Sequence, residues 1–302
     1  VSFATVAAIQ EADDAKLAAE LNEEAVLSTN QKLGLVCALI EDGAWPLAKI
    51  LIDRLPEYYA VQARLALLIS FIKYGSVFIR VSNAISDLIG QVIEKFYMEK
   101  CSNKLEDLSL NTKRDSLKTS SLDPVRSWSD LASLTSILWY VGPRLAYRPL
   151  IMTKLVRLIV AFYREQPKGP DGAPADSPVA RTMMDIVDEV IVPGLSLSDY
   201  NTGLSEEIWT LLQFFPYTLR YRLYGHWKYG NTIRHPEVNI MRGKVLGRTK
   251  YVLKRLSKET VRVMGRQLGK LCHIHPITVF DYLLSQVSTN DSLLPLYQYL
   301  AL

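Results

Sequence analysis

HPEVNIMRGKVLGRTKYVLKRLSKETVRVMGRQLGKLCHIHPITVFDYLLSQ, residues His235 to Gln286, carries both the fold class and the main chemical signal of this chain. It opens on His-Pro, a helix-entry pair, because proline is pre-set for the first helical turn and its missing N–H is not needed there. At about 100° per residue, Val245, Thr249, Val252, Leu253 and Leu256 fall on one side of the helix. Lys244, Arg248, Lys250, Lys254, Arg255 and Lys258 fall on the other, with Tyr251 among them. The pattern predicts a long helix with one face to bury and one face of a single charge sign.

Between Arg242 and Lys270 there are ten Lys or Arg and one acid, Glu259, a local charge of +9. The whole chain of 302 residues carries +4, so the remainder sums to −5. The mild basicity is therefore one local patch on a slightly acidic protein, and its field can draw an anionic partner. A merely solvated face usually mixes both signs. The candidate partner-binding or nucleic-acid-binding residues are Lys244, Arg248, Lys250, Tyr251, Lys254, Arg255, Lys258, Arg262, Arg266 and Lys270.

Length and a hydrophobic content of 49% allow a substantial core in one elongated domain or two compact ones. No run of apolar residues is long enough to span a bilayer. The first residues, VSFATVAAIQEADDAK, lack the basic start of a signal peptide. They also lack an initiator Met, so a fragment of a longer chain is expected. The three cysteines, Cys37, Cys101 and Cys272, lie far apart and are odd in number, which fits a reducing compartment without a disulfide framework.

Ahead of the basic stretch, helical patterns follow one another. Gln31 to Asp53 reads as two short helices joined at Asp42-Gly43, the first with Leu33, Val36, Cys37 and Ile40 inward. Pro46 starts the second, with Leu47, Ile50, Leu51 and Leu55 as its expected face and Pro56 as its end. Tyr58–Ile72 and Val81–Met98 read as further helices, and Trp45, Tyr58 and Tyr59 as packing residues. Cys101–Ser127 is rich in Ser, Asn, Lys and Asp and reads as a mobile linker. Trp128–Tyr140 is a helix stopped by Gly142-Pro143, and Pro149 opens another to about Glu165, burying Leu150, Leu155, Leu158 and Ile159. Gln166–Pro178, nearly pure Pro, Gly, Ala and Asp, reads as a disordered loop. Val179–Ile191 is a helix ended by Pro193-Gly194, and Ser205 is the expected cap of the next. Tyr221, Tyr224 and Trp227 recur every third residue and are expected to pack along one face.

Period-two alternation is absent, so the chain is all-α. Paired helices with tight turns suggest an α-solenoid of irregular helical hairpins, without a fixed repeat. The expected division is 1–101 N-terminal hairpins, 102–127 linker, 128–228 second helical segment with a 166–178 loop, and 236–302 a basic helical domain.

Catalytic chemistry finds little footing. Cys272, His273 and His275 are close together, but a zinc site needs four ligands and no second Cys/His pair lies nearby. A helix end before Pro276 accounts for them better. Gly265 and Gly269 follow no strand, so close helix packing is expected of them rather than phosphate binding. No phosphate loop, dinucleotide glycine motif, nucleophile elbow or paired carboxylate box is present. Neither an enzyme nor a cofactor or metal is expected.

Longer blocks go further. NQKLGLVCALIEDGAWPLAKILIDRLPEYYA (Asn30–Ala60), LWYVGPRLAYRPLIMTKLVRLI (Leu138–Ile159), DEVIVPGLSLSDYNTGLSEEIWTLLQFFPYTLRYRLYGHWK (Asp188–Lys228), TKYVLKRLSKE, GRQLGKLCHIHP and FDYLLSQ resemble, in order, the THO complex subunit 2 family. The chain departs from it at His275-Pro276, where the family usually has Asn-Pro, and at Ser288–Leu296. The resemblance implies a middle piece of a nuclear, non-enzymatic α-solenoid scaffold, leading into the start of a domain like the middle domain of translation initiation factor 4G. It implies as partners the other THO subunits, especially subunit 1 and the coiled-coil subunits, and a DEAD-box ATPase of messenger RNA export. Direct RNA or DNA binding through residues 242–270 is the alternative; no membrane contact is implied.

Overall fold

Helix formation begins where the apolar stripes place it. The computed structural model describes residues 31–55, 68–101, 122–167, 176–257 and 259–289. Helix α1 spans Gln31–Glu41 and buries Leu33, Val36, Cys37 and Ile40. Gly43 turns the chain with φ 76°, a left-handed value that costs glycine nothing. Helix α2, Trp45–Asp53, follows with Pro46 in its first turn. It buries Trp45, Ala48 and Ile52, whereas Leu47 and Ile50 of the expected face are 57% and 49% exposed. Contacts at its two ends fix this rotation. The Trp45 ring meets Tyr140 edge-on at 5.2 Å, and Asp53 accepts a 2.6 Å hydrogen bond from the Tyr140 hydroxyl. Tyr58, Tyr59, Pro56 and most of the helix expected at Tyr58–Ile72 lie outside the described residues.

From Leu68 to Lys100 the chain is one helix, α3, of 33 residues, about 50 Å long at 1.5 Å per residue. Two helices were expected over this region; the stretch between them, 73–80, continues the helix instead and buries Phe78. Most of the linker, 102–121, lies outside the described residues. Its last residues are packed: Val125 is 2% exposed and donates its N–H to the Val92 carbonyl at 3.2 Å. Ser127 and Asp130 form a reciprocal cap for α4, Trp128–Ser133. After α5, Thr135–Val141, a 3-10 turn at Gly142–Tyr147 carries the chain on where a stop was expected. Helix α6, Pro149–Glu165, has the expected bounds and buries Leu155, Leu158 and Ile159, but Leu150 is 68% exposed.

Residues 168–175 of the expected disordered loop lie outside the described residues. At its end Ser177 caps α7, Pro178–Ile186, by accepting from the Ala180 N–H. The helix does not stop at Pro193-Gly194. A π turn, Val187–Ile191, leads into Val192–Gly194 and a 3-10 turn, Leu195–Leu197; the shifted hydrogen-bond register accommodates Pro193. Helix α8, Thr202–Leu212, is capped by Asn201 and not by Ser205. The Ser205 hydroxyl instead donates back to the Asn201 carbonyl at 3.1 Å. Helix α9, Tyr217–His226, runs through a second π turn, Trp227–Asn231. Three helices close the described chain: α10, Pro236–Leu253, α11, Val261–Ile274, and α12, Pro276–Thr289.

Every regular element among the described residues is helical, so the chain is all-α. Helix α1 packs on α3, α3 on α6 and α6 on α8. Buried residues from Leu33 to Val238 form one apolar cluster. A smaller one comprises Val245, Val252, Leu268, Leu271, Ile274 and Val279. No helix among the described residues is long and apolar enough to cross a membrane.

The expected Tyr221, Tyr224, Trp227 face is only partly formed. Trp227 is 1% exposed and its indole N–H donates to Ser196 Oγ at 3.1 Å. Tyr224 is half-buried, and Tyr221 is 80% exposed. The single inward stripe of α9 passes through Leu223 and Trp227 and leaves Tyr221 outside it. Trp227→Ala is expected to destabilise the protein by about 3–5 kcal/mol, read from urea unfolding. Tyr221→Ala should stay within about 0.5 kcal/mol of the parent.

Candidate partner-binding surface

The basic helices are fastened to the preceding helices before they present anything to solvent. Glu237 lies in the first turn of α10, where the helix dipole favours a carboxylate. It accepts a 2.5 Å charge-assisted hydrogen bond from Arg144 Nε, and the two side chains are 4% and 1% exposed. Arg144 comes from the 3-10 turn after α5, and its guanidinium also lies over the Phe78 ring of α3 at 5.7 Å. Nearby, burial and the Glu237 charge push the Tyr147 hydroxyl up to about 12.

The two π turns form the second fastening. His226 Nδ1 is 2.8 Å from Asp188 Oδ2, and Asn231 Nδ2 donates to the Asp188 carbonyl at 2.7 Å. Arg234 pairs with Glu189 at 2.9 Å. Only glycine fits at 230, because a Cβ there would lie 2.3 Å from the His226 ring. Trp227 then stacks on the His275 ring, with centroids 4.8 Å apart. His275 Nδ1 accepts at 3.4 Å from the Thr278 N–H in the first turn of α12. Lys228 pairs with Asp281 of the same helix. Burial pushes the His275 pKa down to about 4. Among the described residues no three His, Cys, Asp or Glu are placed to hold a metal ion; Cys272 is a half-buried thiol whose pKa burial raises.

Helices α10, α11 and α12 pack on one another, and α10 and α11 also touch the Leu195–Leu197 turn. Val245, Thr249 and Val252 face inward. Lys244, Arg248, Lys250, Tyr251, Lys254, Arg255, Arg262, Arg266 and Lys270 are all exposed, while Lys258 lies outside the described residues. The sequence places these cations along one helix; the structure divides them between two. Ser257 N–H donates to Thr260 Oγ1 at 2.9 Å, Thr260 N–H to Ser257 Oγ at 3.2 Å, and Thr260 Oγ1 to the Arg255 carbonyl at 2.7 Å. These local bonds replace helical ones and end α10 at Leu253. Arg262, Arg266 and Lys270 then recur every fourth residue on α11. None of the described cations among the ten candidates forms an ion pair among the described residues. Two guanidinium groups approach Tyr251, Arg255 at 3.6 Å and Arg248 at 5.7 Å from its ring centroid. Gly269 meets nothing within 4 Å of an added Cβ, so the close helix packing expected there is absent.

A family model described as THO complex subunit 2 N-terminus matches residues 116–266, from ahead of Arg144 to within α11. The human THO complex subunit 2 is 34% identical over 274 residues, 88% of this chain. Those of Arabidopsis thaliana and Saccharomyces cerevisiae are 25% and 27% identical over 89% and 73% of it. The chain belongs to the THO complex subunit 2 family. It covers 16%, 15% and 14% of the length of those three relatives, so it corresponds to a fragment of a larger protein. The THO subunit 2 match takes in Arg144, Trp227 and Glu237 together with the cations of α10.

Sequence reasoning found the exposed cations and missed what holds them. Arg144 and Glu237 are 93 residues apart, and no local pattern pairs them. The only signal was an acid in the first turn of an otherwise basic helix. His275 yields a pH prediction. Its folded pKa is about 4 and its ordinary value 6.5. Above 6.5 it is neutral in both states; below that the unfolded chain takes the proton first, so stability falls as pH drops from 6.5 to about 4. The loss amounts to roughly 3 kcal/mol at about 1.4 kcal/mol per pKa unit. Urea unfolding against pH should show this component in the parent and lose it in His275→Asn.

Proposed function

We propose that this chain is a stretch of the non-enzymatic helical scaffold of the THO assembly in the nucleus. In this reading it holds other THO subunits, subunit 1 and the coiled-coil subunits among them, together with a DEAD-box ATPase that acts on RNA. The assembly would thereby couple transcription to messenger ribonucleoprotein assembly and messenger RNA export. Family membership and relatives named as complex subunits support it. We place the start of a domain like the middle domain of initiation factor 4G at residues 236–302, supported by the separate small core from Val245 to Val279.

The observation that carries the partner reading is the unpaired basic surface of α10 and α11, set on a buried framework that fixes its geometry. One-signed charge of this kind acts on association rate and specificity more than on raw affinity. Its proposed partner is an acidic protein surface, that of the ATPase. A second reading, single-stranded RNA on the same cations, is favoured by the exposed Tyr251 with Arg248 and Arg255 close to its ring, since bases stack on aromatic and guanidinium planes.

Reversing Arg248, Lys254 and Arg255 to Glu tests both. All three are exposed, so the melting curve should not move. At roughly 0.2–1 kcal/mol per exposed ion pair, binding to the ATPase should weaken by about tenfold. Loss of single-stranded RNA binding alone, falling steeply with salt, would establish the second reading. Unchanged binding to both would mark the surface as merely solvated.

A further inference from the structure

Helix α9 and the turns that prolong it carry a second surface on the solvent side of the molecule. Tyr217, Tyr221, Tyr229 and Ile233 are 77%, 80%, 67% and 68% exposed. With Gly225, whose added Cβ would meet nothing within 4 Å, they occupy every fourth position from 217 to 233. In an uninterrupted α-helix every fourth residue drifts by about 40° around the axis, so Ile233 would end about 160° from Tyr217. The π turn at Trp227–Asn231 inserts a residue into the helical path and takes up part of that drift. The four side chains therefore stay in solvent together. The stripe is about 24 Å long at 1.5 Å per residue. Single exposed apolar residues need no explanation, whereas four along one helical path of this length do.

We propose that this stripe docks an amphipathic helix with acidic flanks from another subunit of the assembly. Spacing and charge argue for that occupant. Side chains at intervals of four make a ridge that a second helix packs against, and Gly225 leaves a gap at its middle where that helix can approach closely. From Gln213 to Ser257 the chain has ten Lys or Arg and one acid; that acid, Glu237, is buried against Arg144, and of the ten cations Lys228 and Arg234 are paired with Asp281 and Glu189. Arg222, next to Tyr221, is exposed, and the free cations of α10 lie beyond Ile233. The partner's flanks are thus selected for negative charge. An RNA strand suits the stripe less well. Ile233 offers no plane for a base.

The inference rests on the scaffold reading, and one experiment distinguishes their failures. Tyr221 and Tyr229 are replaced singly by the photo-crosslinking amino acid p-benzoylphenylalanine in the full-length chain, which is reconstituted with the purified THO subunits and RNA. Both positions are expected to cross-link to one subunit, within a segment of net negative charge whose apolar residues recur every three or four positions. The double variant Tyr217→Asp/Tyr221→Asp should retain that subunit at least tenfold more weakly, and Tyr221→Phe should retain it as the parent does. Adducts on RNA, adducts on a neutral or basic segment, or no adduct from a chain that co-purifies with the complex would each overturn the inference alone. A chain that does not co-purify would overturn the scaffold reading and this inference with it.

Discussion

The buried pair between Arg144 and Glu237 is the constraint on which the arrangement of this chain depends. Two opposite charges with side chains 1% and 4% exposed are tolerable only together, because either one left alone in an apolar setting costs several kcal/mol. The pair joins the turn after α5 to the first turn of α10. It thereby fixes the start of the basic helices relative to α3, whose Phe78 lies beneath the guanidinium. The described helices after Glu237 inherit that orientation. The cations of α10 face solvent because Val245, Thr249 and Val252 are turned inward, and those of α11 because Leu268, Leu271 and Ile274 are.

The π turns do the complementary job on the other side of the joint. Each changes the helical register once, and together they bring Asp188, His226 and Asn231 into one hydrogen-bonded group. The same register change sets Trp227 inward against Ser196 and His275 while leaving Tyr229 and Ile233 outside. One local deviation from α geometry thus contributes both to the packing of the joint and to an exposed apolar row. A scaffold needs both properties: an interior that fixes relative positions, and surfaces left without partners inside the chain.

Much of the fold was legible in the sequence because it is local. The stripe in α1, the entry of α10 at His235-Pro236 and the bounds of α6 follow from periodicity and proline chemistry within a few residues. Errors arose where distant contacts decide. The face of α2 follows Tyr140, 87 residues away from Asp53, and not its own strongest apolar pattern. Pro193 fails to stop a helix because a π turn precedes it, and nothing in the composition of Val187–Ile191 marks such a turn. The cations were legible as exposed because charge must reach water. Their division between two helices was not, since it depends on three hydrogen bonds among Arg255, Ser257 and Thr260. Tyr221 was assigned to packing by spacing alone, yet α9 has only one inward stripe and Tyr221 lies off it.

A double-mutant cycle on Arg144 and Glu237 tests the central claim most directly, with Arg144→Met and Glu237→Leu made singly and together and unfolding followed in urea. The account predicts that each single change costs about 3–5 kcal/mol by leaving one buried charge unpaired. The double change should cost far less than the two combined, because no charge is then left alone. Single changes of under about 0.5 kcal/mol, or costs that simply add in the double variant, would contradict the claim that this pair holds the basic helices on the rest of the chain.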